Sequence, residues 1–188
     1  MTFLNRVIGI IKIDNSIFRE IDRDNSATIQ GILAAFLVAL INTLVVSEIV
    51  SEYYTSRTSY GFPISIFLIS IFMWVFINLY VLSNIINFVG SKMFPEGKKG
   101  NKYHNLVRLI GYSYSPELIK IFLLFYPKLI KAISFGSFIW VIACQVLAIK
   151  MIFNFRSFWK SLGIIFLSYI IQIFFVIAFI LLVYYFFK

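Results

Sequence analysis

The sequence predicts an all-α fold: a polytopic integral membrane helical bundle of five transmembrane helices plus short interfacial amphipathic helices. Three observations predict it. Of the 188 residues 61% are hydrophobic and 13% charged, against about 45–50% and about 25% in soluble domains. The apolar residues are also bunched: 25–47, 64–89, 132–149 and 161–187 contain no Asp, Glu, Lys or Arg. Each run is at or above the roughly 18 residues that mark a transmembrane candidate. Finally, the net charge of +9 is carried by short loops between those runs, as membrane topology requires. That placement argues against nucleic acid as a partner. The chain is expected to form one membrane domain over 1–188, with spans near 26–50, 64–89, 116–131, 132–150 and 161–187.

The segment 1–25 is expected to be cytoplasmic or interfacial. Phe3, Val7, Ile10 and Ile11 recur at helical spacing, with Arg6 and Lys12 elsewhere on the wheel. That pattern suits a short helix in the headgroup region, or one packed on the rest of the protein. Arg6 and Lys12 interrupt the first apolar stretch, which argues against a cleaved signal peptide. Asp24, Asn25 and Ser26 supply N-cap chemistry for span one. Within that span Gly31, Ala35, Ala39, Thr43 and Ser47 follow one another at intervals of four. Small residues so spaced form a ridge along which a second helix can approach closely, and packing is what holds helices together in lipid. Glu48 and Glu52 fall at its far end, near the interface.

The link 53–63 is polar and tyrosine-bearing. Span two carries Asn78, Asn84 and Asn87, which are expected to hydrogen-bond neighbouring helices because unsatisfied amides are costly in hydrocarbon. The same residues would also suit a conduction path. The region 91–115 opens with a basic loop, Lys92, Lys98, Lys99 and Lys102. Such a loop marks topology, and can hold anionic lipid headgroups at about 1 kcal/mol per basic residue. In 103–114, Tyr103, Leu106, Val107, Ile110 and Tyr114 share one helix face and His104, Arg108 and Gly111 the other. Arg108 at hydrocarbon depth would cost about 2.5–3.5 kcal/mol, so an interfacial helix is expected, with one kinked span as the competing reading. Ser115-Pro116-Glu117 reads as a helix start, by cap, proline at the first position and acid at the positive dipole end.

The third span then covers some 16 residues, about 24 Å, which is short for a core of about 30 Å. Glu117 and Lys120 can pair on one of its faces. An ionisable pair at a membrane boundary is a functional-site hypothesis by default, and a local salt bridge is the simpler alternative. Span four carries Trp140, Gln145 and Cys144, the last read as a buried packing residue. Span five has Gln172 as its strongly polar interior residue.

With five spans, one side of the membrane receives Arg6, Lys12, Arg19, Arg23, Lys92, Lys98, Lys99, Lys102, Arg108, Lys150, Arg156 and Lys160. The other receives Arg57, Lys128, Lys131 and Lys188. The asymmetry puts the N-terminus in the cytoplasm and the C-terminus outside.

No Gly-rich phosphate loop, HExxH helix, GxSxG elbow or catalytic carboxylate pair is found. One histidine and one cysteine cannot build a Cys/His zinc cage. The expectation is therefore a non-enzyme without cofactor, metal or catalytic residues.

Asp14-Asn15-Ser16-Ile17-Phe18, Gly97-Lys98-Lys99-Gly100, Trp140 and above all the run Arg108-Leu109-Ile110-Gly111-Tyr112-Ser113-Tyr114-Ser115-Pro116 resemble the Yip family of Ypt/Rab-interacting five-span membrane proteins, in a short prokaryotic-type version. Asn15 stands where the family often has proline. The resemblance implies five spans and a cytoplasmic N-terminus. For eukaryotic relatives it implies binding of prenylated Rab-type GTPases and ER–Golgi traffic; a prokaryotic member would sit in the cell membrane.

The reading that follows is a membrane scaffold or adaptor for a cytoplasmic protein partner or anionic lipid, with homo-oligomers allowed. Its functional residues are expected to be Arg108, Gly111, Tyr112, Pro116, Glu117 and Lys120. Lys98, Lys99 and Lys102 would face lipid headgroups, and Gly31, Ala35 and Ala39 would pack the bundle. The alternative is a small oligomeric channel or transporter with Glu117, Lys120, Asn78 and Gln145 lining a polar path.

Overall fold

A computed structural model describes residues 1–54, 64–92 and 102–186. Lys98, Lys99, the Gly97–Gly100 motif, most of the 53–63 link and the side chains of Glu48 and Glu52 lie outside the described residues. The described chain is helical throughout. Two short helices, α1 (Phe3–Ile11) and α2 (Asn15–Arg23), precede the long α3 (Ala27–Tyr54). Helices α4 (Ile64–Val75) and α5 (Leu82–Lys92) are joined without a break by a π-helical turn, Phe76–Val81. Then come α6 (Tyr103–Ser113), a 3₁₀ segment (Ser115–Leu124), a 3₁₀ turn (Pro127–Leu129), α7 (Ile130–Ile152) and α8 (Phe158–Phe186).

Among the described residues four stretches are long and apolar enough to cross a membrane: Ala27–Ser47, Ile66–Lys92, Pro127–Ile152 and Phe158–Leu182. Their outward surfaces are apolar. Phe72 is 77% exposed and Phe174 69%, an inside-out arrangement that only a hydrocarbon surrounding stabilises. The chain is an integral membrane protein.

The expected α-helical third span, 116–131, takes a different form. Ten residues from Ser115 wind as a 3₁₀-helix, far beyond the usual three or four. The segment ends at Leu124, and Tyr126 is pushed out of the α region (φ −133°, ψ 66°) because the residue before a proline clashes with the proline ring there. Tyr114 takes the N-cap position, with no side-chain cap bond. Ser115 is the first residue of the segment, so it is not the cap its sequence context suggested.

The expected interfacial helix over 103–115 also differs. Every residue of α6 from Leu106 to Ser113 is buried by other parts of the protein. Its apolar face joins the common core with Val146 and Ile149 of α7, and its polar face is covered by α2 and α3. Helix α1 buries Val7 and Ile10 in that core but leaves Leu4 and Ile8 on its outer side exposed.

Of the asparagines of span two, Asn84 reaches across to Tyr103 of α6, while the buried Asn87 Oδ1 has no partner among the described residues. Asn78 and Asn84 donate their side-chain amides to Trp74 O and Tyr80 O, four residues back on their own helix, a local alternative open to short polar side chains. Backbone carbonyls supply further interhelical bonds. The π turn presents Asn78 O to the Tyr114 hydroxyl at 3.0 Å and Ile77 O to Gln172 Nε2 at 3.1 Å.

Candidate functional site

The residues singled out in the 108–120 run lie on one continuous piece of chain, α6 plus the 3₁₀ segment, packed between α3 and α7. What lets it sit there is a contact between two glycines. A Cβ on Gly111 would stand 2.4 Å from Gly31 O, and one on Gly31 would stand 2.6 Å from Arg108 O. Both collisions are with backbone, so neither can be relieved by turning a side chain. Ala35 and Ala39, on the same ridge of α3, are fully buried.

With the backbones that close, the Arg108 side chain lies across the α2–α3 corner, only 1% exposed. Nη1 donates to Ile21 O at 3.0 Å and Asp22 O at 2.9 Å. Nη2 donates to Asn25 Oδ1 at 2.8 Å, and Nε to Thr28 Oγ1 at 3.0 Å. The guanidinium thus satisfies C-terminal carbonyls of α2, which the helix itself leaves without partners. Asn105, one turn earlier, donates to Asp22 Oδ1 at 2.7 Å.

A second arginine completes the clasp from the other side. Arg6 of α1, 2% exposed, donates from Nη1 to Gln30 Oε1 at 2.8 Å and from Nη2 to Glu20 Oε1 at 2.9 Å. It also pairs with Asp24. The Tyr112 hydroxyl donates to the same Gln30 oxygen at 2.7 Å, so one amide joins α1, α3 and α6. Burial works against the Arg6 charge, but hydrogen bonds to Glu20 and Asp24 outweigh it and hold the guanidinium's pKa above its ordinary value. Asp24 is correspondingly lowered to about 2, by hydrogen bonds from the Ser26 hydroxyl, from Arg6 and from the Ser26 amide.

Beyond Pro116, which is buried, the polar chemistry is sparser. Glu117 Oε1 lies 3.1 Å from Lys120 Nζ. Asn42 of α3 ties the pair together: Nδ2 donates to Glu117 Oε2 at 2.7 Å and Oδ1 accepts from Lys120 at 3.1 Å. Gln145, on the far side of the same segment, accepts from the Tyr169 hydroxyl at 2.9 Å. Asn78 meets this region through its carbonyl. An apolar groove of about 660 Å³ runs beside Pro116, between Ile11, Phe122 and Trp140.

Lys102, expected among headgroup-binding lysines, turns inward. Its ammonium donates to Ile152 O at 2.8 Å and sits 4.5 Å from the Phe153 ring centroid, completing the carbonyl end of α7. The sequence reading passed over Arg6, Gln30 and Asn42. A signal was present for Arg6, a lone cation beside Val7 and Ile10 on a short helix that four acids, Asp14, Glu20, Asp22 and Asp24, soon follow. Gln30 and Asn42 carry no such mark, because their partners are 24 to 82 residues distant.

Among the described residues no group of three His, Cys, Asp or Glu converges as a metal site would. No curated protein and no solved structure matches the chain. The protein-family model of the Yip1 domain matches residues 8–180, taking in α2, the glycine contact, the whole 108–120 run and most of α8. The chain therefore belongs to the Yip1-domain family.

Proposed function

We propose that the protein is a non-enzymatic membrane scaffold or adaptor, crossing the bilayer five times, with the α1–α2 cap on the cytoplasmic side and the C-terminus outside. One observation carries the reading. The buried polar side chains of the 108–112 motif bond within the protein and fasten the α1–α2 cap to the bundle. That is the construction of a rigid platform, and its exposed cations, Lys12, Arg19 and Arg23, are what a partner or an anionic surface would meet.

The fifth crossing is supported by how the ends of elements meet. Lys102 touches the last carbonyls of α7, whereas α7 begins 23 residues away, about 35 Å along the axis. The intervening chain, α6 and the 3₁₀ segment, has to cover that distance. At about 1.5 Å and 2.0 Å per residue its two parts reach roughly 36 Å.

Two measurements test the proposal. Tags on the two ends of the chain are expected on opposite faces of sealed vesicles; tags on one face would remove the five-span reading. Purification from the native membrane is expected to bring down a protein partner or anionic lipid that Lys98→Glu/Lys99→Glu loses. An unchanged profile, or solute flux above empty liposomes, would replace the adaptor with the channel reading.

A further inference from the structure

The cap carries a second feature, away from the family motif. Between α2 and the last two turns of α7 lies a cleft of about 500 Å³. Arg19 and Arg23 reach it from α2 and Lys150 from α7, with the amides of Asn15 and Asn154 at its edges. Met151 and Phe155 add apolar wall. Among the described residues, no hydrogen bond or ion pair engages the side chains of Arg19, Arg23 or Lys150. The acid in the cleft, Asp22, is already held by Asn105.

Three cations gathered in one hollow around a committed acid repel one another. Arg19 and Arg23, four apart on one helix, are a destabilising like-charge pair. Complementing a helix dipole does not account for Lys150. The α7 terminus is already closed by the bonds Asn154 N–H to Met151 O and Phe155 N–H to Lys150 O, and by Lys102 on Ile152 O.

We infer that this cleft binds an anionic phosphate group. Two guanidinium forks, an ammonium and two amides match a tetrahedral oxyanion. The group could arrive as the headgroup of an anionic phospholipid of the adjoining leaflet, whose first carbons would lie on Met151 and Phe155, or as free phosphate. The inference rests on the proposed cytoplasmic, headgroup-level position of the cap, and uses residues distinct from the basic loop.

The test takes the full chain in a mild nonionic detergent and counts bound phosphatidylglycerol and phosphatidylcholine by native mass spectrometry. Phosphatidylglycerol is expected to be preferred. Each cation contributes about fivefold, so Arg19→Gln/Arg23→Gln/Lys150→Gln is expected to weaken binding about a hundredfold. Lys128→Gln, on an exposed cation outside both the cleft and the cap, should leave it unchanged. Should the triple variant unfold, Arg19→Gln alone, on an exposed residue, carries the test with a fivefold loss. Displacement of the lipid by millimolar inorganic phosphate identifies the free anion as ligand, and resistance to it identifies the lipid. Undiminished phosphatidylglycerol binding by the variants, or no preference over phosphatidylcholine, overturns the site. The adaptor reading is judged separately, by partner capture and flux with this cleft intact.

Discussion

The two halves of the 103–124 element meet the same bundle in opposite ways. In α6 both faces are buried, and its one arginine is matched by four oxygens from the α2–α3 corner. In the 3₁₀ half, burial repeats every third residue. Glu117 and Leu123 are buried with Lys120 mostly covered between them, while Ile119, Phe122 and Phe125 stand exposed. A 3₁₀-helix eclipses side chains three apart, so one ridge can face α3 while another faces lipid. In α6 enclosure goes with hydrogen bonding of every buried polar side chain, whereas the 3₁₀ half leaves the buried Ser115 hydroxyl unpaired. Partial enclosure tolerates a single ion pair and one amide.

The comparison breaks most visibly at Arg108. Arg108→Ala removes the donors to four oxygens at once, leaving Ile21 O buried without its side-chain donor and Asp22 O with Asn105 alone, and is expected to cost about 3–5 kcal/mol. Arg108→Lys should recover little, since a single ammonium cannot span four acceptors. Thermal unfolding in detergent, followed by size exclusion, measures both; a loss below about 1 kcal/mol would mean the clasp does not hold the cap. Gly111→Ala comes next, at about 1–3 kcal/mol of overpacking against the Gly31 backbone. Gly136, with nothing within 4 Å of an added Cβ, supplies the control: Gly136→Ala should be neutral or slightly stabilising through helix propensity.

Most of the membrane architecture was legible, because it follows from run length and charge placement alone. Lys131 and Lys150 bracket an uncharged run, and the helix through it begins at Ile130 and ends at Ile152. Of the four-residue spacing from Gly31 to Ala39, Gly31 lies against the α6 backbone and Ala35 and Ala39 are buried. The role of Arg108 was not legible. Amphipathicity assigned it to water or headgroups, since a sequence window cannot show that four oxygens from 80 to 87 residues away will converge on it. The π turn at Phe76–Val81 and the long 3₁₀ segment were hidden for a similar reason. Both are departures from α-geometry, and at the π turn the tertiary partners Gln172 and Tyr114 donate to the carbonyls it redirects.

The 3₁₀ half gives a gentler contrast. Glu117→Gln strands Lys120 beside Asn42, and Lys120→Met strands Glu117; each single change is expected to cost about 2 kcal/mol. The double variant should cost less than either, because no uncompensated charge remains. Strict additivity of the two losses in the cycle would show that the pair is not coupled. The clasp can also be opened by acid. The Asp24 carboxyl is lowered to about 2 from an ordinary value of 3.8. Its contribution is therefore complete above pH 4 and lost as the pH falls from about 4 toward 2. Tryptophan emission from Trp140, which donates to Ile11 O at the end of α1, should shift across that window in the wild type. In Asp24→Asn the acid-dependent step should disappear.

The smallest effect is expected at two corners with the same geometry. Helices α1 and α7 both end in paired backbone bonds around a residue with positive φ: Ile13 at 58° and Asn154 at 56°. Asparagine tolerates that conformation, whereas a β-branched side chain is strained in it by roughly 1–2 kcal/mol. Ile13 is retained because its side chain packs on the core, which offsets the strain. Ile13→Asn exchanges packing for relief and should change stability by less than about 1 kcal/mol in either direction. Asn154→Ile gains strain at an exposed position with no core to meet it, and should cost about 1 kcal/mol or more. Equal losses at the two sites would mean that the α1 corner is held by its backbone bonds alone and that the half-buried isoleucine contributes nothing to the cap.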